Sequence, residues 1–84
     1  MGQKEKLILR LKSRPKDFTF DEAVTLLRYL EYSMTNKGKT SGSRVRFDRE
    51  NYKPIFMHKP HPRNTLIDYQ INELIRTLRE RDLI

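Results

Sequence analysis

The chain has 84 residues, with 18 lysines and arginines against 11 acidic residues, two histidines and no cysteine, for a net charge of +7 at pH 7. A chain this short is expected to form one domain, 1–84, around a thin core, and without cysteine neither a disulfide nor a thiolate-held zinc can support that core. The apolar run Leu7-Ile8-Leu9 is shorter than the roughly 7–15 residues of a signal peptide and the ~20 of a membrane span. Lys6 also stands where a myristoylation signal wants Ser or Thr, so the expectation is a cytoplasmic protein with no membrane partner.

Leu7, Ile8 and Leu11 have helical spacing between Lys4 and Leu11, and Pro15 follows that helix. Thr19 and Glu22 are spaced as a capping box for a second helix. Its apolar stripe is Phe20, Val24, Leu27 and Leu30, and it should run to about Glu31. Tyr32 to Asn36 alternates apolar and polar residues as a half-buried strand does. Lys37 to Gly42 has turn composition with two glycines. Arg44-Val45-Arg46-Phe47 alternates again, with Val45 and Phe47 facing one way and the two arginines the other. Asp48 to Lys53 reads as a turn and Pro54 to His58 as a third strand stopped by Pro60 and Pro62. Thr65-x-x-Asp68 reads as a second capping box, opening a helix with Ile67, Ile71, Leu74, Ile75 and Leu78 on one face and its end near Arg81. Leu83 and Ile84 then fold back on the core. The expected architecture is a two-layer α+β domain, a three-stranded antiparallel sheet packed by helices in the order α-α-β-β-β-α.

The charge is unevenly placed. Residues 1–36 carry 7 basic and 5 acidic groups, residues 37–63 carry 8 and 2, and residues 64–84 carry 3 and 4. Nearly all the excess therefore lies in the middle third, where it would concentrate and steer a polyanion. The plain alternative, a wet charged face that keeps the protein soluble, is common in small proteins. Gly38-Lys39-Thr40 is not a P-loop, because Ser33 stands where the motif wants its first glycine and a strand follows in place of a helix. The segment reads instead as a ribbon with a basic tip, Lys37 and Lys39. Arg44 and Arg46 lie two residues apart on one strand face, roughly 6–7 Å, which matches successive phosphates. Arg49, Lys59 and Arg63 extend the basic set.

Both histidines fall in His58-Lys59-Pro60-His61-Pro62-Arg63. Two imidazoles beside Lys and Arg suit RNA cleavage by transesterification: one takes the ribose 2′-OH proton, a cation stabilises the phosphorane, and a second acid protonates the leaving 5′-oxygen. Incidental surface histidines are the commoner case. No metal site is expected, since His58 and His61 have neither an acidic cluster nor helical spacing to help them, and no cofactor is implied. Phe18, Phe20, Phe47 and Phe56 are placed as core residues. Tyr32, Tyr52 and Tyr69 are candidates for stacking on bases, with edge packing as the alternative. Residues 7–11 and 20–30 would also fit a helix-turn-helix, but Asp21 and Glu22 would present the wrong sign to phosphates.

Gly42-Ser43-Arg44-Val45-Arg46-Phe47, the apolar strand and Pro-His stretch from Ile55 to His61, and the closing helix from Thr65 to Leu83 together resemble the HicA-type toxin family of bacterial toxin-antitoxin systems. The resemblance covers residues from about 20 to the end. It implies a double-stranded-RNA-binding-domain-like core over 18–84, with residues 1–15 as an extra N-terminal helix. It further implies an mRNA interferase, a hydrolase acting on RNA and neutralised by a cognate HicB-type antitoxin. The family's catalytic histidine follows Gly-Ser, and Arg44 stands there in this chain. Arginine binds phosphate but does not shuttle protons near neutral pH. The reading is therefore a metal-independent endoribonuclease using His58 and His61, with a non-catalytic RNA-binding module as the alternative, monomeric when free.

Overall fold

Leu7 and Leu11, one helical turn apart, are both buried, and the helix that carries them, α1 (Gln3–Lys12), opens the structure. The structure is a computed structural model that describes residues 2–35 and 44–84. It continues with α2 (Phe20–Tyr29), β1 (Ser33–Thr35), β2 (Arg44–Asp48), β3 (Ile55–His58) and α3 (Asp68–Glu80). The element order is the expected α-α-β-β-β-α, and the strands form one antiparallel sheet in the order β1-β2-β3.

The capping box of α2 is formed as its spacing dictates. Thr19 Oγ1 accepts from the Glu22 N–H at 3.0 Å, and Glu22 Oε1 accepts from the Thr19 N–H at 3.0 Å. The helix stops two residues before the expected Glu31. Glu31 adopts φ 70°, the Tyr32 N–H donates to Leu27 O at 2.8 Å and the Glu31 N–H to Arg28 O at 2.9 Å. This is a Schellman end made without glycine. α3 closes the same way, with Asp82 at φ 56° and the Leu83 N–H on Leu78 O at 2.9 Å.

The start of α3 corrects the sequence reading. Thr65 does not cap it: Thr65 pairs with Thr19 in an isolated antiparallel bridge, flanked by Leu66 N–H to Phe18 O at 2.8 Å and Phe20 N–H to Asn64 O at 2.7 Å. The segments entering α2 and α3 are thus zipped together. The helix begins after Ile67, whose N–H donates to Gln70 Oε1 at 3.2 Å.

One core cluster draws on every helix and on β2 and β3, with Leu11, Phe18, Leu26, Leu27, Phe47 and Leu78 at most 1% exposed. Leu83 and Ile84 pack against it, as expected. The N-terminal helix belongs to this core through Leu7 and Leu11. It is also pinned to α2, because Arg10 pairs with Glu22 at 2.6 Å and with Asp17 at 3.0 Å. That guanidinium holds the Glu22 carboxyl below the usual carboxylate range.

The sheet decides the exposure of three apolar side chains, one of them against expectation. Phe56 is not a core residue: it is 42% exposed, because Ile55 and Met57 take the inward positions of β3. Tyr32 takes the packing role and not the stacking one: it is buried, and its hydroxyl accepts from Arg81 Nη1 at 2.7 Å. Met34 is half exposed although it pairs with the buried Phe47, because β1 is an edge strand. Among the described residues no helix is long and apolar enough to cross a membrane.

Candidate nucleic-acid interface

The register of β2 on β3 builds the outer face of the sheet. Arg44 lies opposite His58 and Arg46 opposite Phe56, while Val45 and Phe47 lie opposite Met57 and Ile55 and turn to the helices. The His58 carbonyl points away from β2, since it accepts from Gln70 Nε2 at 2.8 Å. Arg44–His58 and Arg46–Phe56 are therefore the closely spaced, non-hydrogen-bonded pairs of the ladder, whose side chains approach most nearly. The result is an aromatic ring flanked by two guanidinium groups: Arg44 Cζ lies 4.1 Å and Arg46 Cζ 5.8 Å from the Phe56 centroid. Cation–π contact holds the arginine stems against the ring and fixes where their charges lie.

The basic residues named from sequence divide by what holds them. Arg44 is exposed but held over the Phe56 ring, and Lys59, His61 and Arg63 are exposed as well. Arg46 pairs with Asp48 at 2.8 Å. Arg49 donates to Leu30 O at 2.9 Å, pairs with Glu31 at 3.3 Å and covers the Tyr52 ring at 4.5 Å. It ties the exit of β2 to the end of α2. Lys37 and Lys39 lie outside the described residues, as do Gly38, Gly42 and Ser43.

Two depressions bear on the histidines. The larger, about 530 Å³, runs between β3 and α3 and is bordered by Arg44, Phe56, His58, Tyr69, Gln70 and Glu73 among others. The smaller, about 430 Å³, is bordered by Lys16, His61, Arg63 and Asp68, next to a cis His61–Pro62 bond. The structure thus brings His58 together with Arg44, while His61 opens onto a different depression. Glu73 is held below the usual carboxylate range by the Arg76 guanidinium, 2.7 Å away. Among the described residues no group of three or more His, Asp or Glu side chains is placed to hold a metal ion.

Phe56 and Gln70 are the residues that sequence reasoning missed. The signal for Phe56 was present, since strict alternation from Ile55 puts it on the face of His58. Nothing in the sequence announces Gln70, whose role depends on α3 starting at Asp68. Compared with protein-family models, with curated proteins and with solved structures, the chain has no match.

Proposed function

We propose that the chain is a HicA-like RNA-binding protein with a double-stranded-RNA-binding-domain-like core, acting in the cytoplasm on mRNA as a metal-independent endoribonuclease and neutralised by a HicB-type antitoxin. The observation that carries this reading is the cluster Arg44, Phe56, Arg46 and His58 on the outer sheet face. It offers cations at strand spacing for successive phosphates, a ring for a base, and an imidazole beside the leading cation. In the cleavage reading, the His58 imidazole takes the 2′-OH proton and the freed oxygen attacks the adjacent phosphorus. Arg44 balances the charge of the phosphorane. The 5′-oxygen leaves with a proton from a second acid, a role that falls to His61. Lys59 and Arg63 hold the flanking phosphates, with Lys37 and Lys39 the further candidates.

A second reading, RNA binding without cleavage, is favoured by two observations. Arg44 occupies the position that follows Gly-Ser in the resembled family, and His58 and His61 open onto different depressions. Incubation of end-labelled mRNA with the pure protein and no added metal separates the two. Fragments ending in 2′,3′-cyclic phosphate, lost in His58→Ala, are the result expected of the enzyme. Intact RNA that is retarded on a native gel selects the binding module. Full cleavage by the His58→Ala, His61→Ala double variant refutes the proton-transfer assignment.

A further inference from the structure

The groove between β3 and α3 has a feature that a pocket on a sheet face lacks: consecutive strand residues of both orientations border it. Ile55 and Met57 point to the core, Phe56 and His58 to the opposite side, and all four line the groove. Its floor is therefore the edge of β3 itself, the outer strand in the order β1-β2-β3. Peptide groups two residues apart in a strand point the same way. Since the His58 carbonyl is directed outward to Gln70, the Phe56 N–H and C=O and the His58 N–H are directed outward as well, into the groove.

The two ends of this edge are closed by side chains. Gln70 Nε2 occupies the His58 carbonyl at 2.8 Å, and Arg81 Nη1 occupies the Lys53 carbonyl at 2.8 Å while also donating to the Tyr32 hydroxyl. Between these clamps lies the four-residue strand, roughly 13 Å at ~3.3 Å per residue. Edges of this kind are templates for a further strand unless they are covered.

We propose that the β3 edge is a docking site for an extended acidic peptide strand of a partner protein, which adds a fourth strand to the sheet. The occupant is a peptide because donors and acceptor alternate along the floor at the spacing of a strand's own peptide groups, whereas in RNA the phosphates offer no donor and the 2′-OH groups do not recur at that spacing. Its chemistry follows from the two walls. On the outer side stand Arg44 and His58, so that side calls for carboxylates. On the other side stand the exposed Tyr69 ring, Thr77 and the Glu73 carboxylate of α3, over the buried Leu74, so that side calls for apolar residues and excludes a carboxylate. The charged groups of the groove are Arg44, Arg81 and Glu73, two cations to one carboxylate. The surplus is positive, as it is over the chain. A strand alternating acidic and β-branched residues satisfies the backbone and both walls at once. The site stands independently of the RNA reading, and an occupant would cover Arg44 and His58.

The test uses the full chain, isotope-labelled, titrated with acetyl-Val-Glu-Val-Glu-Val-Glu-amide into the millimolar range. The largest amide shifts are expected at Phe56 and His58, with slowed hydrogen exchange at the Phe56 N–H. Methylating the peptide's backbone nitrogens keeps its charge and removes its donors, and should weaken binding about 5-fold per lost hydrogen bond. Replacing Glu by Lys in the peptide should weaken binding to the wild type, and Arg44→Glu should reverse that order. The proposal is overturned if the peptide leaves β3 unshifted, if methylated and parent peptides bind alike, or if the Lys peptide binds as well. It is also overturned if decauridylate shifts Phe56 and His58 while the peptide does not, which would make the groove an RNA subsite. RNA affinity of the unliganded protein, measured separately, decides the RNA reading whatever the peptide does.

Discussion

Replacing Phe56 with leucine separates the two properties assigned to the outer face. The ring is 42% exposed and flanked by Arg44 at 4.1 Å and Arg46 at 5.8 Å. Leucine keeps most of the apolar contact and removes the ring. For folding, the loss is the cation–π contribution, about 0.5–1 kcal/mol at an exposed site, or a Tm lower by about 2–8 °C for a domain of this size. For RNA, the loss is one stacked base, about 1–3 kcal/mol, which converts to roughly 5- to 150-fold in Kd. The slope of log affinity against log salt should stay unchanged, because no charge has been removed. Fluorescence anisotropy with a labelled single-stranded oligoribonucleotide measures both quantities, and thermal unfolding by circular dichroism checks the fold. An unchanged Kd in a folded Phe56→Leu protein would refute base stacking at this position. A changed salt slope would show that the ring acts through the arginines it supports.

The N-terminal helix is tested by Leu11→Ala, since Leu11 is fully buried; urea unfolding should show a loss of about 2–5 kcal/mol, and a loss below ~1 kcal/mol would mean that α1 is not part of the core. Thr19→Ala should cost about 1 kcal/mol by the same measurement through the lost cap of α2. Glu22 has its folded-state pKa below its unfolded value because of Arg10, so its contribution is present above about pH 4.5 and fades as pH falls through the lowered value; the stability of Glu22→Gln measured against pH should lack that fade. Asp82→Gly should raise the Tm, since Asp82 holds a φ of 56° that glycine adopts without steric cost, and a lower Tm would place another role on the Asp82 side chain.

Much of this architecture is legible from spacing alone. Thr19 and Glu22 mark the start of α2, and Ile71, Leu74, Ile75 and Leu78 mark the buried face of α3. The misreadings have specific causes. Thr65-x-x-Asp68 has the spacing of a capping box, but Thr65 is taken by its bridge to Thr19, a long-range pairing that no local pattern announces. Glu31 and Asp82 end their helices in a left-handed conformation that usually marks itself with glycine. Phe56 reads as a core residue beside Phe18, Phe20 and Phe47, although period-two alternation from Ile55 puts it outside. The candidate site depended on the same limit. That Arg44, Arg46, His58 and Phe56 are surface residues of two strands follows from alternation. That Arg44 faces His58 follows from register, which is fixed by the turn at 49–54, where the Tyr52 N–H donates to Arg49 O at 3.1 Å and Asn51 holds φ 70°. Spacing marks a turn there but does not say how many residues it takes up, and the register stays open until that number is known.

The central claim, that this basic face binds RNA, is tested most directly by the salt dependence of affinity for a single-stranded oligoribonucleotide, compared between the wild type and the Arg44→Gln, Arg46→Gln double variant. Each phosphate neutralised contributes a slope of about −0.7. The wild type should therefore show a steep negative slope, and the double variant a slope shallower by up to about 1.4 with its fold intact. A wild-type slope near zero, or identical slopes for the two proteins, would contradict the account.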